Sequence, residues 1–204
     1  MAQVFPTKGN LQNSKKTLSL ARTGFDLLDR KRQILVRELM PLIDRATVIQ
    51  ESIDSCYAEA YQALQQANVA HGFCGVIADS VPVEDGLTLT SRSVMGTEIP
   101  MLSIDTPAPT PEYGFLFTSS LIDEAYIRFN RVKHLTVELA EIENSIYRLA
   151  MSIKKTQKRA NALRNMVIPD LEETVHFISG ALEEKEREDF SRLKALKQQQ
   201  SHRQ

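Results

Sequence analysis

Tryptophan is absent from the 204 residues, only 6% are aromatic, and there are two cysteines, eight glycines and eight prolines. Each shortage excludes something. So few aromatics is lean for a compact globule, whose core usually buries several large rings. Cys56 and Cys74 are too few and too isolated for a disulfide framework and form no CxxC metal pair, which favours a reducing, cytoplasmic compartment. The glycines never fall into GxxxxGK[ST] or GxGxxG, so no phosphate-cradling loop is present. His71, His134, His176 and His202 lie far apart, and none is four residues from another. The longest stretch free of charged residues, 60–78, still holds Gln62, Gln65, Gln66, Asn68 and His71, too polar to span a bilayer. The opening MAQVFPTKGNLQNSKK lacks the apolar core of a signal peptide. A soluble protein is expected.

Catalytic groupings are equally scarce. Glu138, Glu141 and Glu143 are read as a solvated helix face, His176 as a surface residue, and Cys56 as a small buried apolar residue. The chain alone is therefore not an enzyme. Net charge is −1, which argues against a whole-molecule polyanion binder, but its distribution is uneven. Residues 1–45 carry nine Lys/Arg against four Asp/Glu, and residues 68–117 one Arg against six acids. A basic end and an acidic middle suggest two different partners.

What is abundant is helical periodicity. From Leu11 a heptad seam runs through Ser14, Leu18, Ala21, Phe25, Leu28, Arg32, Leu35, Leu39, Leu42, Ala46, Ile49, Ile53, Cys56, Ala60, Ala63 and Ala67. Only Ser14 and Arg32 break its apolar character, so a coiled-coil helix over 8–70 is expected. The 57 residues from 11 to 67 would reach roughly 85 Å at ~1.5 Å each. The late alanines let a partner backbone approach closely. Pro41 removes one helical hydrogen bond, but the register stays in phase on both sides. A kink near 41 is expected; two helices with a break at Met40 is the alternative.

Residues 71–117 read as a small head. HGFCG and TPAPTP mark non-helical chain, and a hairpin over about 87–104 is expected, pairing Leu87–Val94 with Glu98–Ile104 and turning near Gly96. Pro100 would confine its strand to a sheet edge. Helix resumes at 118, with Thr118 or Ser119 as N-cap. A second seam follows at Ala125, Phe129, Val132, Thr136, Leu139, Ile142, Ile146, Leu149, Ile153, Thr156, Ala160, Leu163, Val167, Leu171, Thr174 and Ile178. Beside it lies a basic run, Lys154, Lys155, Lys158, Arg159 and Arg164, with no interleaved aromatics to suggest a nucleic-acid stripe. Pro169 is expected to bend this helix without ending it, and the pattern fades after Leu196 into a frayed tail at 197–204. Each helix alone exposes an apolar stripe, and pairing is the simplest way to bury both. The fold class is mainly α: one elongated unit, a long antiparallel two-helix coiled coil with a small β-hairpin head between the helices.

Four segments carry a family resemblance: PTKGNLQNSKKTLSLARTGFDLLDRKRQILVREL at 6–39, RSVMGTEIP at 92–100, YGFLFTSSLIDEA at 113–125 and KKTQKRANALRNMVIPDLEETVHFI at 154–178. Together they resemble the D subunits of the V-type and A-type rotary ATPases, the central-stalk family, in family order over nearly the whole chain. The resemblance implies a rotor shaft inserted into the hexamer of catalytic A and regulatory B subunits. It further implies contact between the head and both the small F subunit and the C/d socket subunit above the proteolipid ring. It places Arg159, Asn161, Leu163, Val167, Ile168 and Pro169 on the C-terminal shaft helix, and Val94, Met95, Gly96 and Ile99 in the partner-binding head. Lys154, Lys155, Lys158, Arg159 and Arg164 are then expected to face the hexamer. ATP and Mg would bind the A and B subunits, so this chain is expected to hold no cofactor, nucleic acid or membrane segment. It would work at the cytoplasmic face of the membrane. A free-standing antiparallel scaffold or tether is the alternative that periodicity alone leaves open.

Overall fold

The computed structural model describes residues 5–104, 113–114 and 118–201. The prolines of TPAPTP, most of the YGFLF segment, His202 and the last residues of the tail lie outside them. Helix α1 spans Lys8–His71, a four-residue helix α2 spans Gly75–Ala78, and strands β1 and β2 span Leu87–Val94 and Thr97–Ile104. Helix α3 covers Ser120–Ala162, a π-helical turn covers Leu163–Val167, and helix α4 covers Ile168–Ser201. The fold is mainly α, and among the described residues one two-stranded antiparallel sheet lies between the long helices.

Contacts divide the chain into two units, 33–153 and 1–32 with 154–204. In the first, α1 and α3 pair antiparallel through a ladder of apolar clusters. Leu35 meets Leu149, Ile49 and Ile53 meet Ile142, Cys56 and Ala60 meet Val132, and Ala67 shares a cluster with Ile122. As numbers rise on α1 they fall on α3. The alanine end is closely packed, with Ala60, Ala63 and Ala67 almost fully buried. In the second unit α1 pairs antiparallel with α4: Lys8 bonds Glu186 at 2.9 Å and Arg22 bonds Glu172 at 2.6 Å. All seventeen α1 seam positions named above are buried or half-buried.

Pro41 lies inside α1 without ending it. Leu39 and Leu42 on either side stay half-buried, so the seam pattern carries the helix through. The helix ends at His71, where Gly72 at φ 81° takes the left-handed conformation and its N–H closes on Asn68 O at 2.9 Å. Ser119 caps α3: its Oγ accepts the Leu121 N–H at 3.3 Å. At the other end α4 runs to Ser201, past the fading expected at Leu196. The lysine and glutamines there are good helix formers and need no seam, and every side chain from 183 to 198 is exposed.

The seam of the second long helical stretch departs from expectation at two places. Thr136 is exposed, and Leu135 packs in its place against the Ile49–Ile53–Ile142 cluster. Val167 is 40% exposed, and Ile168 is the half-buried residue. The cause is the π turn, in which the Ile168 N–H donates to Leu163 O, five residues back, so that one extra residue fits into the turn.

Candidate functional site

The hairpin is built for a two-residue turn. Met95 at φ 50° and Gly96 at φ 72° both lie in the left-handed region, the requirement of a type I′ turn whose twist matches its strands. Glycine adopts this freely; methionine does not. Register then follows, with Val94 opposite Thr97 and Ser91 opposite Pro100. Inter-strand hydrogen bonds alternate, so from the turn Thr97, Ile99, Met101 and Ser103 bond inward while Glu98, Pro100, Leu102 and Ile104 present their backbone outward. Pro100 thus loses no sheet hydrogen bond. Its outward neighbours find partners on α3: the Leu102 N–H donates to Glu141 Oε2 at 2.8 Å, and Arg148 Nη1 donates to Glu98 O at 3.3 Å. Thr97 Oγ1 adds a bond to Ser152 Oγ at 2.8 Å. Beneath the turn, Ile99 and Val94 pack with Leu35 and Leu149.

These α3 contacts were missed in the sequence. Glu138 and Glu141 are not simply solvated, because Glu138 pairs with Arg45 and Glu141 holds β2. The available signal was a spacing: Glu141 and Arg148 are seven apart, as are Ser145 and Ser152, which places polar groups along one flank of the seam. Of the head residues expected to meet partners, Ile99 is buried beneath the hairpin, Val94 is half-buried, and Met95 and Gly96 are exposed at its tip. The loop before β1 is tied by Lys133 to Glu84 at 2.5 Å, which holds the Glu84 carboxyl below its ordinary range, helped by the Gly86 N–H.

The second region is the basic run. Lys154, Lys155, Lys158, Arg159 and Arg164 are all exposed, on the last turns of α3 and the π turn. None takes part in an ion pair among the described residues, whereas Lys8, Arg22 and Arg32 in the same unit are each paired to a carboxylate. No acid occurs between Glu143 and Asp170. Inward from these cations the seam is narrow. Thr156 and Ala160 are buried, and a Cβ placed on Gly24 would lie 3.9 Å from Leu163 Cδ1, an ordinary packing distance. Small side chains bring α1 close here and leave the cations free to meet an anionic surface.

Among the described residues no three His, Cys, Asp or Glu side chains are grouped to hold a metal ion, and no helix is long and apolar enough to cross a membrane. Residues 10–198 match the protein family of the ATP synthase D subunit. The chain belongs to that family. It is 43% identical to the V-type ATP synthase D subunit of Thermotoga neapolitana, over 96% of this chain and 97% of that one. It is 36% identical to the A-type ATP synthase D subunit of Thermococcus kodakarensis, over 97% and 94% of the two chains. The corresponding protein of Pyrococcus furiosus is 35% identical over 96% and 94%. Among these D-subunit relatives the match spans the helices, the hairpin and the basic run alike, so both regions described above belong to the family's own extent.

Proposed function

We propose that this member of the ATP synthase D-subunit family is the central-stalk rotor shaft of a V/A-type rotary ATPase, coupling ATP hydrolysis or synthesis in a catalytic hexamer to ion translocation through a membrane ring. In this reading the chain is a non-catalytic component that binds no nucleotide or metal. Its basic run faces the A and B subunits, while the hairpin head meets the small F subunit and the C/d socket subunit above the proteolipid ring. The whole assembly sits at the cytoplasmic face of the membrane. The observation that carries the reading is the set of five exposed cations at 154–164, without ion-pair partners among the described residues and mounted on an antiparallel helix pair with a closely packed seam. A rotor acts by differential contact, its faces favouring different hexamer conformations at different angles. Cations without ion-pair partners of their own suit that role, because their interaction energy is free to be made with the surrounding subunits.

The reading is tested by recovery of the chain from cells at native levels. It should bring down a nucleotide-binding hexamer and a small stalk subunit; recovery of neither would favour a free-standing scaffold. In the reconstituted complex, replacing Lys154, Lys155, Lys158 and Arg159 together by Gln should weaken ATP-driven rotation. Undiminished rotation would remove these cations from the coupling contact.

A further inference from the structure

The helical stretch from Thr156 to Ile178 contains one residue more than its seam can use. Among its buried and half-buried positions, Thr156, Ala160, Leu163, Ile168, Leu171, Val175 and Ile178 form a line in steps of four, three, five, three, four and three; Gln157 and Thr174 are also half-buried. Five residues of α-helix overshoot the seam by about 140°, so no uninterrupted α-helix can hold both Leu163 and Ile168 inward. The π turn resolves this by closing the Ile168 N–H on Leu163 O. A proline does not by itself require such a turn, since α1 accommodates Pro41 without one. The consequence falls on the surface. Val167, four residues after Leu163, would have entered the seam of a plain α-helix; instead it is 40% exposed, and Met166 beside it is 70% exposed. Two apolar side chains thus stand in water two and three residues after Arg164 and shortly before Asp170.

We propose that the π turn is a display device, holding Met166 and Val167 outward as an apolar contact at the edge of the cationic run. The proposal rests on the rotor reading above and names its partner surface: an apolar rim flanked by carboxylates on the inner wall of the A/B hexamer. Charge complementarity fixes the carboxylates, and the exposed Met–Val pair fixes the apolar rim. π turns are one-residue insertions that tend to occur at functional positions, where they re-aim side chains at some expense in helical hydrogen bonding.

Two full-length variants separate geometry from composition. Deleting Asn165 places Leu163 and Ile168 four residues apart, restores a three-four seam and removes the need for the turn. The pair Met166→Gln and Val167→Gln keeps the turn and removes its apolar surface. Both variants should keep wild-type helicity, and the deletion should melt at or above the wild-type temperature. Each should bind the reconstituted A/B hexamer about tenfold more weakly, as expected when an apolar side chain is no longer buried. Wild-type binding by either variant would overturn the proposal, and unfolding of the deletion variant would overturn the claim that the residue is surplus. If the unaltered chain failed to bind the hexamer, the rotor reading would fall first and this inference with it.

Discussion

Leu149 is the residue on which the hairpin and the two helices of its unit converge. Its side chain has no exposed surface, shares a cluster with Leu35 and Ile99, and is edged by Leu39, Leu42, Val94 and Ile153. Leu149→Ala removes three carbons, worth about 2.4 kcal/mol at ~0.8 kcal/mol for each buried methylene. A cavity term adds to that wherever neighbours cannot collapse. Here they are held from two sides, by α1 and by a hairpin pinned to α3 through Glu141, Arg148 and Ser152. The expected total is therefore about 3–4 kcal/mol, within the range of buried Leu→Ala substitutions. At ~3 °C for each kcal/mol, the transition of this unit should fall by roughly 10 °C. Circular dichroism melting measures the shift, and hydrogen exchange at the Ile99 and Met101 amides shows whether the hairpin loosens with it. Leu193→Ala, at a 65% exposed position, is the control and should stay within about 0.5 kcal/mol of wild type. Equal melting of the two variants, or unchanged hairpin exchange in Leu149→Ala, would refute the idea that this cluster anchors the head.

Ala60 is fully buried against Val132, so Ala60→Leu should overpack the seam and destabilise by about 1–3 kcal/mol, read from urea unfolding. Met95→Asn places a residue tolerant of positive φ at the hairpin tip; it should stabilise the turn by about 1 kcal/mol and slow exchange of the hairpin amides. Tyr113 is raised above its ordinary value of 10.0, first by burial and then by its hydrogen bond to Asp123. Because the folded form favours the neutral phenol, this contribution is complete below that value and is lost as pH rises above it. Ultraviolet titration should therefore find one tyrosine ionising late, and Tyr113→Phe should abolish that late step.

Much of the fold could be read from spacing, because a seam residue's partner lies on a helix with the same period. The α1 pattern from Leu11 to Ala67 and the position of Gly96 between two β-favouring runs both work this way: each residue's environment follows from its near neighbours in sequence. The π turn was hidden for a specific reason. Val167 and Ile168 are adjacent apolar residues, as are the half-buried pair Thr174 and Val175, so the sequence supports two registers that share Leu171 and Ile178. Three-four stepping from Leu163 selected Val167; packing selected Ile168. Glu138 and Glu141 were illegible for another reason, since their partners Arg45 and Leu102 lie far away in sequence and only the tertiary fold brings them close. For the basic run, composition revealed the charges, but that all five are exposed and without ion-pair partners among the described residues required the structure.

Rotation is the most direct test of the rotor account. Cys56 and Cys74 are buried, so a single exposed thiol introduced by Ser91→Cys on β1 can carry a bead while the A/B hexamer is fixed to a surface. On a rotor shaft the bead should turn in one sense while ATP is hydrolysed and stop when ATP is withdrawn. Sustained hydrolysis by the same complexes with a stationary bead would contradict the rotor account.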